Sequence, residues 1–200
     1  LVTIIFLCSC GGPNSIQTEV PPPPTPHPTP PAVRVVVLGD SLSAGLGLAE
    51  QDAFPAIVET LLRLEGHDVE VVNAGVSGDT TAGGLARLDW VLQKPADILV
   101  VELGGNDGLR GFPPARIKSN LTAIARRAQA SGAGVVLLGI RIPTNYGARY
   151  TQAFEAVYAE VATELGIEWI EFFMEGVALN EELLQEDRIH PTAEAQPILL

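Results

Sequence analysis

The chain has 200 residues, of which 46% are apolar, and its 12 basic and 24 acidic side chains give a net charge of −12. This length predicts one domain, with or without a tail, and the apolar content is sufficient for a sizeable core. The acidic surface repels phosphate backbones, which argues against nucleic acid as a partner and against adhesion to anionic lipid through a basic patch.

The first nine residues are typical of a targeting segment. They form an apolar run, too short to span a bilayer, that leads into Leu7-Cys8-Ser9-Cys10. An apolar residue and two small residues before a cysteine resemble a bacterial lipobox. We therefore interpret residues 1–9 as the remnant of a lipoprotein signal and Cys10 as the lipidated residue. The alternative is a buried hydrophobic strand with incidental cysteines.

A proline-rich stretch follows, with eight of the 16 prolines between Pro21 and Pro31. Proline has no N–H and a fixed φ, so this stretch should form an extended polyproline II tether. We expect residues 10–32 to hold a domain of residues 33–200 off a membrane through the lipid on Cys10. The expected location is the bacterial cell envelope, facing the periplasm or the exterior. A soluble periplasmic protein is the alternative.

No metal or organic cofactor is expected. Residues 11–200 contain no cysteine, and the whole chain has three histidines and no His-Glu-x-x-His run. These counts argue against a zinc site. Gly45 and Gly47 are followed by Glu50 where a dinucleotide fingerprint requires a third glycine, and no P-loop sequence occurs.

Alternating strand and helix patterns predict an α/β domain. Short β-branched runs typical of buried parallel strands cover residues 33–38, 69–72, 98–103, 135–140 and 167–170. Apolar residues at helical spacing lie between them, and Gly66, Gly132 and Gly166 occur where helix C-caps favour glycine. The pattern predicts a five-stranded, mostly parallel, doubly wound sheet with its ligand crevice at the carboxyl ends of the strands.

Two motifs follow the first two predicted strands. The GDSLS motif of residues 39–43 places Ser41 at the start of a helical turn, where outward-pointing N–H groups suit a nucleophile. The loop of residues 73–81 contains Gly78, which lets the backbone approach a ligand closely and offers its N–H to the crevice. Each motif alone also fits an ordinary capped turn.

Two further motifs complete the candidate site. The GGNDG motif of residues 104–108 contains Asn106, whose side chain carries two uncharged N–H donors. In the DRIHP motif, Asp187 lies three residues before His190 and can accept its Nδ1–H, which leaves Nε2 as a base. Pro191 suits the first position of a final helix predicted over residues 191–200. The alternative for the GGNDG motif is an ordinary turn, and the alternative for His190 is a helix cap at the surface.

Together these motifs resemble the SGNH (GDSL-type) hydrolases, a family named for its Ser, Gly, Asn and His residues. The stretches GDSLSAGLGL, SGDTTAGGLARL, VELGGNDGLRGF and DRIHPTAEAQP are similar to the bacterial multifunctional acyl-CoA thioesterase I / protease I / lysophospholipase subgroup. The resemblance covers about residues 33–200. It implies a three-layer α/β/α sandwich without metal or organic cofactor that hydrolyses acyl esters, acyl thioesters and lysophospholipids.

The resemblance also implies a role for each site residue. Ser41 is expected to be the nucleophile, His190 the general base and Asp187 the residue that orients His190. The backbone N–H groups of Ser41 and Gly78 and the side chain of Asn106 are expected to form the oxyanion hole.

Substrate-binding residues are expected in and beside the segment of residues 108–113. Its glycines and apolar side chains are typical of a mobile lid, and a plain surface loop is the alternative. We expect Leu109, Phe112, Arg141 and Ile142 to contact an acyl chain, which favours long acyl chains over sugars. A small-ester or carbohydrate deacetylase with the same catalytic residues and a non-catalytic acyl-binding lipoprotein are the alternative functions. A monomer is favoured.

Overall fold

The computed structural model describes residues 33–199. The predicted signal remnant, Cys10 and the proline-rich tether therefore lie outside the described residues. In the described part, five strands alternate with six α-helices. The strands are β1 (Val33–Gly39), β2 (Val69–Gly75), β3 (Ile98–Glu102), β4 (Gly134–Leu138) and β5 (Glu168–Ile170). The helices are α1 (Ser41–Ala44), α2 (Phe54–Leu64), α3 (Thr81–Val91), α4 (Gly105–Leu109), α5 (Pro114–Ala130) and α6 (Ala148–Leu165).

The strands form one sheet in the order β2-β1-β3-β4-β5, and all four pairings are parallel. The register sets Gly39 at the end of β1 beside Gly75 of β2 and Glu102 of β3. The chain thus winds away from β1 first in one direction and then in the other. The predicted doubly wound sheet is confirmed, and the carboxyl edge beside β1 is the place where such sheets bind ligands.

Helices cover both faces of the sheet. Alternate strand residues point to opposite faces, so Val36 and Leu38 join one core cluster while Val37 joins another. The first cluster includes buried side chains of α3, α5 and α6, and the second includes α2 and the segment that follows β5. The predicted three-layer sandwich is therefore confirmed. In residues 33–199, no helix combines the length and apolar composition needed to cross a membrane.

The helix ends agree with the glycines identified in the sequence. Gly66 and Gly132 have φ values of 91° and 93° just beyond α2 and α5, and Gly166 caps α6 with a φ of 61°. This left-handed conformation is accessible to glycine at little cost. Helix α5 buries Ile117, Leu121 and other residues at helical spacing, as the sequence predicted.

The predicted final helix over residues 191–200 is wrong for the residues that the structure describes. Pro191 instead forms an isolated antiparallel bridge with Leu184, and Thr192 N–H donates to the carbonyl of Leu183 at 2.9 Å. Only a 3-10 turn, Gln196–Leu199, follows. A second proline, Pro197, has no N–H for an α-helical bond, and pairing across the bridge satisfies the first part of the segment. His190 therefore does not precede a helix N-terminus.

Candidate active site

Three side chains form one hydrogen-bonded row at the carboxyl edge of the sheet. Oγ of Ser41 lies 2.8 Å from Nε2 of His190, and Nδ1 of His190 lies 2.5 Å from Oδ2 of Asp187. Ser41 and His190 are 149 residues apart in the chain. The side chain of His190 is 15% exposed and that of Asp187 is 43% exposed. The row matches the geometry in which an imidazole removes a hydroxyl proton while a carboxylate fixes its tautomer.

Asp187 also organises the backbone around the imidazole. Its Oδ1 accepts the N–H groups of Ile189 and His190 at 2.9 and 3.0 Å, while Oδ2 faces the ring. Partial burial raises the pKa of Asp187, but the hydrogen bonds from His190 and Ile189 outweigh it and lower the pKa to about 2. Asp187 is therefore a carboxylate at any pH at which the enzyme would be assayed.

Ser41 lies on a sharp turn of residues 39–44, called the Ser41 turn below. Asp40 caps α1, and its Oδ1 accepts the N–H of Leu42 at 3.0 Å. The turn requires glycine at Gly39, because a Cβ there would collide with Oγ of Ser43, and at Gly75, where it would collide with the backbone of Ala44. Side chains at these two positions would therefore displace the turn that carries Ser41.

The two predicted donors beyond Ser41 lie on neighbouring loops. Nδ2 of Asn106 donates to Oδ2 of Asp40 at 3.0 Å, which places the Asn106 amide against the Ser41 turn. Gly78 is exposed with a φ of 80°, and its carbonyl accepts a bond of 3.1 Å from Arg110. No hydrogen bond from the N–H of Ser41 or of Gly78 occurs among residues 33–199. These N–H groups are available to a substrate oxygen.

Arg87 is a site residue that the sequence analysis missed. Its guanidinium donates to the carbonyls of Ala74 and Gly39 at 2.6 and 3.0 Å and to Oδ2 of Asp79 at 2.7 Å. Arg87 thereby ties the end of β1 to the loop that carries Gly78. An arginine on an otherwise ordinary helix gave no sequence signal for this role.

The sequence analysis also missed that Asp40, within the Ser41 turn, lies beside a second buried acid, Glu102, beneath the turn. Glu102 is fully buried and Asp40 is 2% exposed. Burial, and then the neighbouring charge of Asp40, raises the pKa of Glu102 well above its ordinary value, and burial raises the pKa of Asp40. A glutamate near the end of an apolar strand run, two residues before the start of the GGNDG motif, was the signal available in the sequence.

The expected substrate-binding residues occupy different environments. Leu109 is exposed at the end of α4, and its carbonyl accepts the hydroxyl of Tyr146. The half-buried ring of Phe112 lies 4.9 Å from the guanidinium carbon of Arg116. These contacts hold the segment of residues 108–113 against the start of α5 and against the turn that precedes α6.

Arg141 and Ile142 follow β4 and contact different parts of the molecule. Arg141 pairs with Glu171 at 2.8 Å and stacks over Phe172 at 4.8 Å. Ile142 is 6% exposed and belongs to the core cluster beneath Gly108, where a Cβ would contact its Cγ2. Ile142 therefore forms a floor under the segment rather than part of its surface.

Within residues 33–199, no group of three or more His, Asp or Glu side chains is arranged to hold a metal ion. A parallel α/β sheet that carries hydrogen-bonded Ser, His and Asp side chains at its carboxyl edge is characteristic of serine-type hydrolases. The chain belongs to the GDSL-like Lipase/Acylhydrolase family, whose sequence profile matches residues 37–197.

Relatives and solved structures agree with this assignment. Esterase TesA of Pseudomonas aeruginosa is 50% identical over 171 residues, which cover 84% of this chain and 85% of that protein. Thioesterase 1/protease 1/lysophospholipase L1 of Escherichia coli K12 is 43% identical over 82% of this chain and 78% of that protein. The crystal structure of TesA superposes with a TM-score of 0.81 at 49% identity and covers 84% of this chain and 93% of that one. The crystal structure of AlinE4, an SGNH-hydrolase family esterase, superposes with a TM-score of 0.75 at 42% identity and covers 84% of this chain and 90% of that one.

Proposed function

We propose that this hydrolase cleaves carboxylic esters and acyl thioesters through an acyl-enzyme on Ser41. The hydrogen-bonded row from Asp187 through His190 to Ser41 is the observation that carries the proposal. Ser41 follows the carboxyl end of β1, the edge where parallel α/β sheets bind ligands, and His190 reaches it there.

Each step follows from the groups in the row. Nε2 of His190 takes the proton of Ser41 as Oγ attacks the acyl carbonyl, and Asp187 stabilises the imidazolium that forms. The N–H groups of Ser41 and Gly78 and the amide of Asn106 stabilise the tetrahedral oxyanion. His190 then protonates the leaving alcohol or thiol. Water, activated by the same imidazole, releases the acid and regenerates Ser41.

The substrate class rests on the relatives and on the apolar surface near the site. Proteins similar to this chain are named esterase, arylesterase and thioesterase/lysophospholipase. Leu109 is exposed on the same short helix as Asn106, and Phe112 is half-buried three residues further along the chain. We therefore propose acyl esters, acyl thioesters and lysophospholipids as substrates, with Leu109 and Phe112 along the acyl chain. Arg141 and Ile142 would shape that path from below and beside it.

The envelope location and the lipid anchor on Cys10 remain part of this proposal. They are supported by the lipobox-like sequence and by the tether of residues 10–32. Mass spectrometry of membrane-fraction protein from the native host should find a diacylglyceryl group on an N-terminal Cys10. An unmodified N-terminus within or after the proline-rich run would contradict the anchor.

The first prediction concerns Ser41 itself. Ser41→Ala should abolish hydrolysis of p-nitrophenyl esters and acyl-CoA and should prevent labelling by a fluorophosphonate, because no nucleophile remains. Exposed Ser119, far from the row on α5, provides the matched control, and Ser119→Ala should keep activity and labelling. A label that maps to Ser43 or Ser77, or appreciable activity in Ser41→Ala, would contradict the assignment.

A panel of ester chain lengths on the parent protein then defines the substrate. Rates that rise from acetyl to longer acyl esters support the acyl path along Leu109 and Phe112. A strict preference for acetyl esters would favour the deacetylase alternative, and absence of turnover with all of them would favour an acyl-binding protein.

A further inference from the structure

Glu102 is a buried carboxyl group that no step of the proposed mechanism uses. Its Oε2 lies 3.2 Å from the N–H nitrogen of Asp40, 3.3 Å from that of Ser43 and 2.8 Å from Oγ of Ser43. The N–H donors belong to the residue just before Ser41 and to the second residue after it. One oxygen atom of β3 therefore holds the backbone on both sides of the nucleophile.

The network continues from Glu102 to the oxyanion donors. Asp40, whose N–H bonds to Glu102, accepts the N–H of Leu42 with one carboxyl oxygen and Nδ2 of Asn106 with the other. The position of the Asn106 amide thus depends on the Ser41 turn, and the position of that turn depends on Glu102. We propose that Glu102 is a positioning residue that holds Ser41 and, through Asp40, Asn106 in the geometry needed for acyl transfer. This inference rests on the proposed function of Ser41.

The surroundings of Glu102 favour the neutral acid. Its side chain is fully buried, no cation contacts it among residues 33–199, and its Oε1 has no hydrogen-bond partner there. A second buried carboxyl group, Asp40, is adjacent. An ionised carboxylate without a cation is costly in such an environment, and burial raises the pKa of Glu102 accordingly. A neutral carboxyl group still accepts the three hydrogen bonds through its carbonyl oxygen.

The charge state predicts how stability depends on pH. Because the pKa of Glu102 is raised in the folded protein, the native state keeps a proton that the unfolded chain releases above the ordinary glutamate pKa. The stability contributed by this group therefore falls as pH rises. Nearby titratable groups are Asp40 on the Ser41 turn and Tyr158 on α6, with Asp79 and His190 near Asp40.

Three substitutions separate shape from charge. Glu102→Gln keeps the length and an accepting oxygen without a proton to lose, and kcat should stay within about threefold of the parent. Glu102→Asp keeps the acid but withdraws the oxygen by about one carbon–carbon bond, and Glu102→Leu removes the acceptor. Both should lower kcat, and the rate of inactivation by a p-nitrophenyl phosphonate, by about 10- to 100-fold, on the scale of a small misplacement of reacting groups. KM should stay within about threefold.

The control and the pH series exclude a merely structural effect. Leu121→Ala opens the core within α5, far from the turn, and should lower Tm while keeping the phosphonate rate below its own Tm. The Tm of Glu102→Gln minus that of the parent should become more positive from pH 5 to pH 9. The groups around Glu102 are the same in both proteins, so the difference reports Glu102.

Specific results would overturn the inference. If folded Glu102→Leu is inactivated by the phosphonate at the rate of the parent, the hydrogen bonds accepted by Glu102 do not position Ser41. If kcat and the inactivation rate fall as far in Glu102→Gln as in Glu102→Asp, a neutral side chain of the same length is not sufficient to position Ser41. This comparison tests the inference if Glu102→Leu does not fold. A Tm difference independent of pH would contradict the neutral acid. Activity in Ser41→Ala, by contrast, would defeat the proposed function regardless of Glu102.

Discussion

The two halves of the candidate site are built in different ways. The Ser41 turn lies between strand ends, and both Ser43 within it and Glu102 beneath it are fully buried. The His190 loop, residues 184–192, lies after the last strand, and its central residues 186–189 are exposed. Its backbone is held by the bridge between Leu184 and Pro191 and by short-range bonds such as Gln185 N–H to the carbonyl of His190 at 2.8 Å. The one longer-range hydrogen bond of Gln185 in residues 33–199 joins its side chain to the carbonyl of Leu46.

This difference indicates that burial holds the Ser41 turn in place, whereas mainly local hydrogen bonds hold the His190 loop. A buried turn between strands cannot shift without disturbing the sheet, because interiors are close-packed. An exposed loop has no such constraint, and Asp187 must both fold the loop and orient the imidazole. We therefore expect substitutions in the His190 loop to affect catalysis through orientation, with smaller effects on global stability than substitutions beneath the Ser41 turn.

After loss of the nucleophile itself, the largest effect is expected from Asp187→Asn. An asparagine oxygen can still accept the N–H groups of Ile189 and His190, but its NH₂ group then faces Nδ1 of the ring. Nδ1 must become the acceptor, which places a proton on Nε2 toward Ser41 and blocks general-base catalysis. We expect kcat/KM to fall about 10²- to 10⁴-fold, the scale of a positioned general base, with a Tm close to that of the parent.

The pH profile of Asp187→Asn sharpens this prediction. The pKa of Asp187 is about 2, so the parent carboxylate stays ionised, and protonation of the imidazole alone should produce the acid limb of kcat/KM. Without the carboxylate the imidazolium loses its ionic partner, and the acid limb should move to lower pH. Near-normal activity in Asp187→Asn would show that another group orients His190, with Asp68, Asp79 and Asp107 as the acids to test next.

The contrast between the two halves also explains which parts of the site were predictable. Ser41 and the pair formed by Asp187 and His190 lie in short local motifs, so their residue types and spacing carried the signal. The hydrogen bonds of Glu102 reach Asp40 and Ser43, which lie 62 and 59 positions away in the sequence. Only the register of β1 with β3 brings these residues together. No local pattern contains that information.

The fold was predictable for a similar reason, and its one error is instructive. Runs of β-branched residues and C-cap glycines are local signals, and they located all five strands within a few residues. The helix expected after His190 failed because the favourable N1 proline, Pro191, pairs with Leu184 instead. A proline at the start of a segment is compatible with a helix and with a bridge, and only the tertiary partner decides.

A medium effect is expected from Gln185→Leu, which tests the link between the two halves. Nε2 of Gln185 donates to the carbonyl of Leu46 at 2.7 Å, just after α1, and to the carbonyl of Pro191 at 3.0 Å. The substitution keeps the bulk and removes both bonds. Because a neutral hydrogen bond contributes about 0.5–1.5 kcal/mol, we expect kcat to fall roughly 2- to 10-fold.

Gln93→Leu is the matched control, because Gln93 follows α3, distant from the site, and its side chain makes no hydrogen bond within residues 33–199. The two variants should be compared by kcat, KM and phosphonate inactivation rate. If Gln185→Leu behaves like the control, the His190 loop holds its position without a tether to the Ser41 turn, and the two halves are more independent than the structure indicates.

The smallest effect is expected from Arg188→Gly. Arg188 has a φ of 57°, and it is the one residue other than glycine with a positive φ in residues 33–199. Its side chain is 73% exposed and lies 3.7 Å from Glu181, a contact that contributes little at a surface. Glycine adopts this conformation at lower cost but makes the unfolded chain more flexible, so the net gain should be at most about 1 kcal/mol. Tm should therefore rise by about 1–3 °C, with kcat/KM within about twofold of the parent value.

Arg188→Ala is the matched control. It removes the same ion pair and keeps the strained backbone, so its Tm should not rise. A loss of activity above about tenfold in Arg188→Gly, with no such loss in Arg188→Ala, would show that the stiff left-handed residue helps to hold His190, and that backbone conformation positions this loop as well as the hydrogen bonds of Asp187.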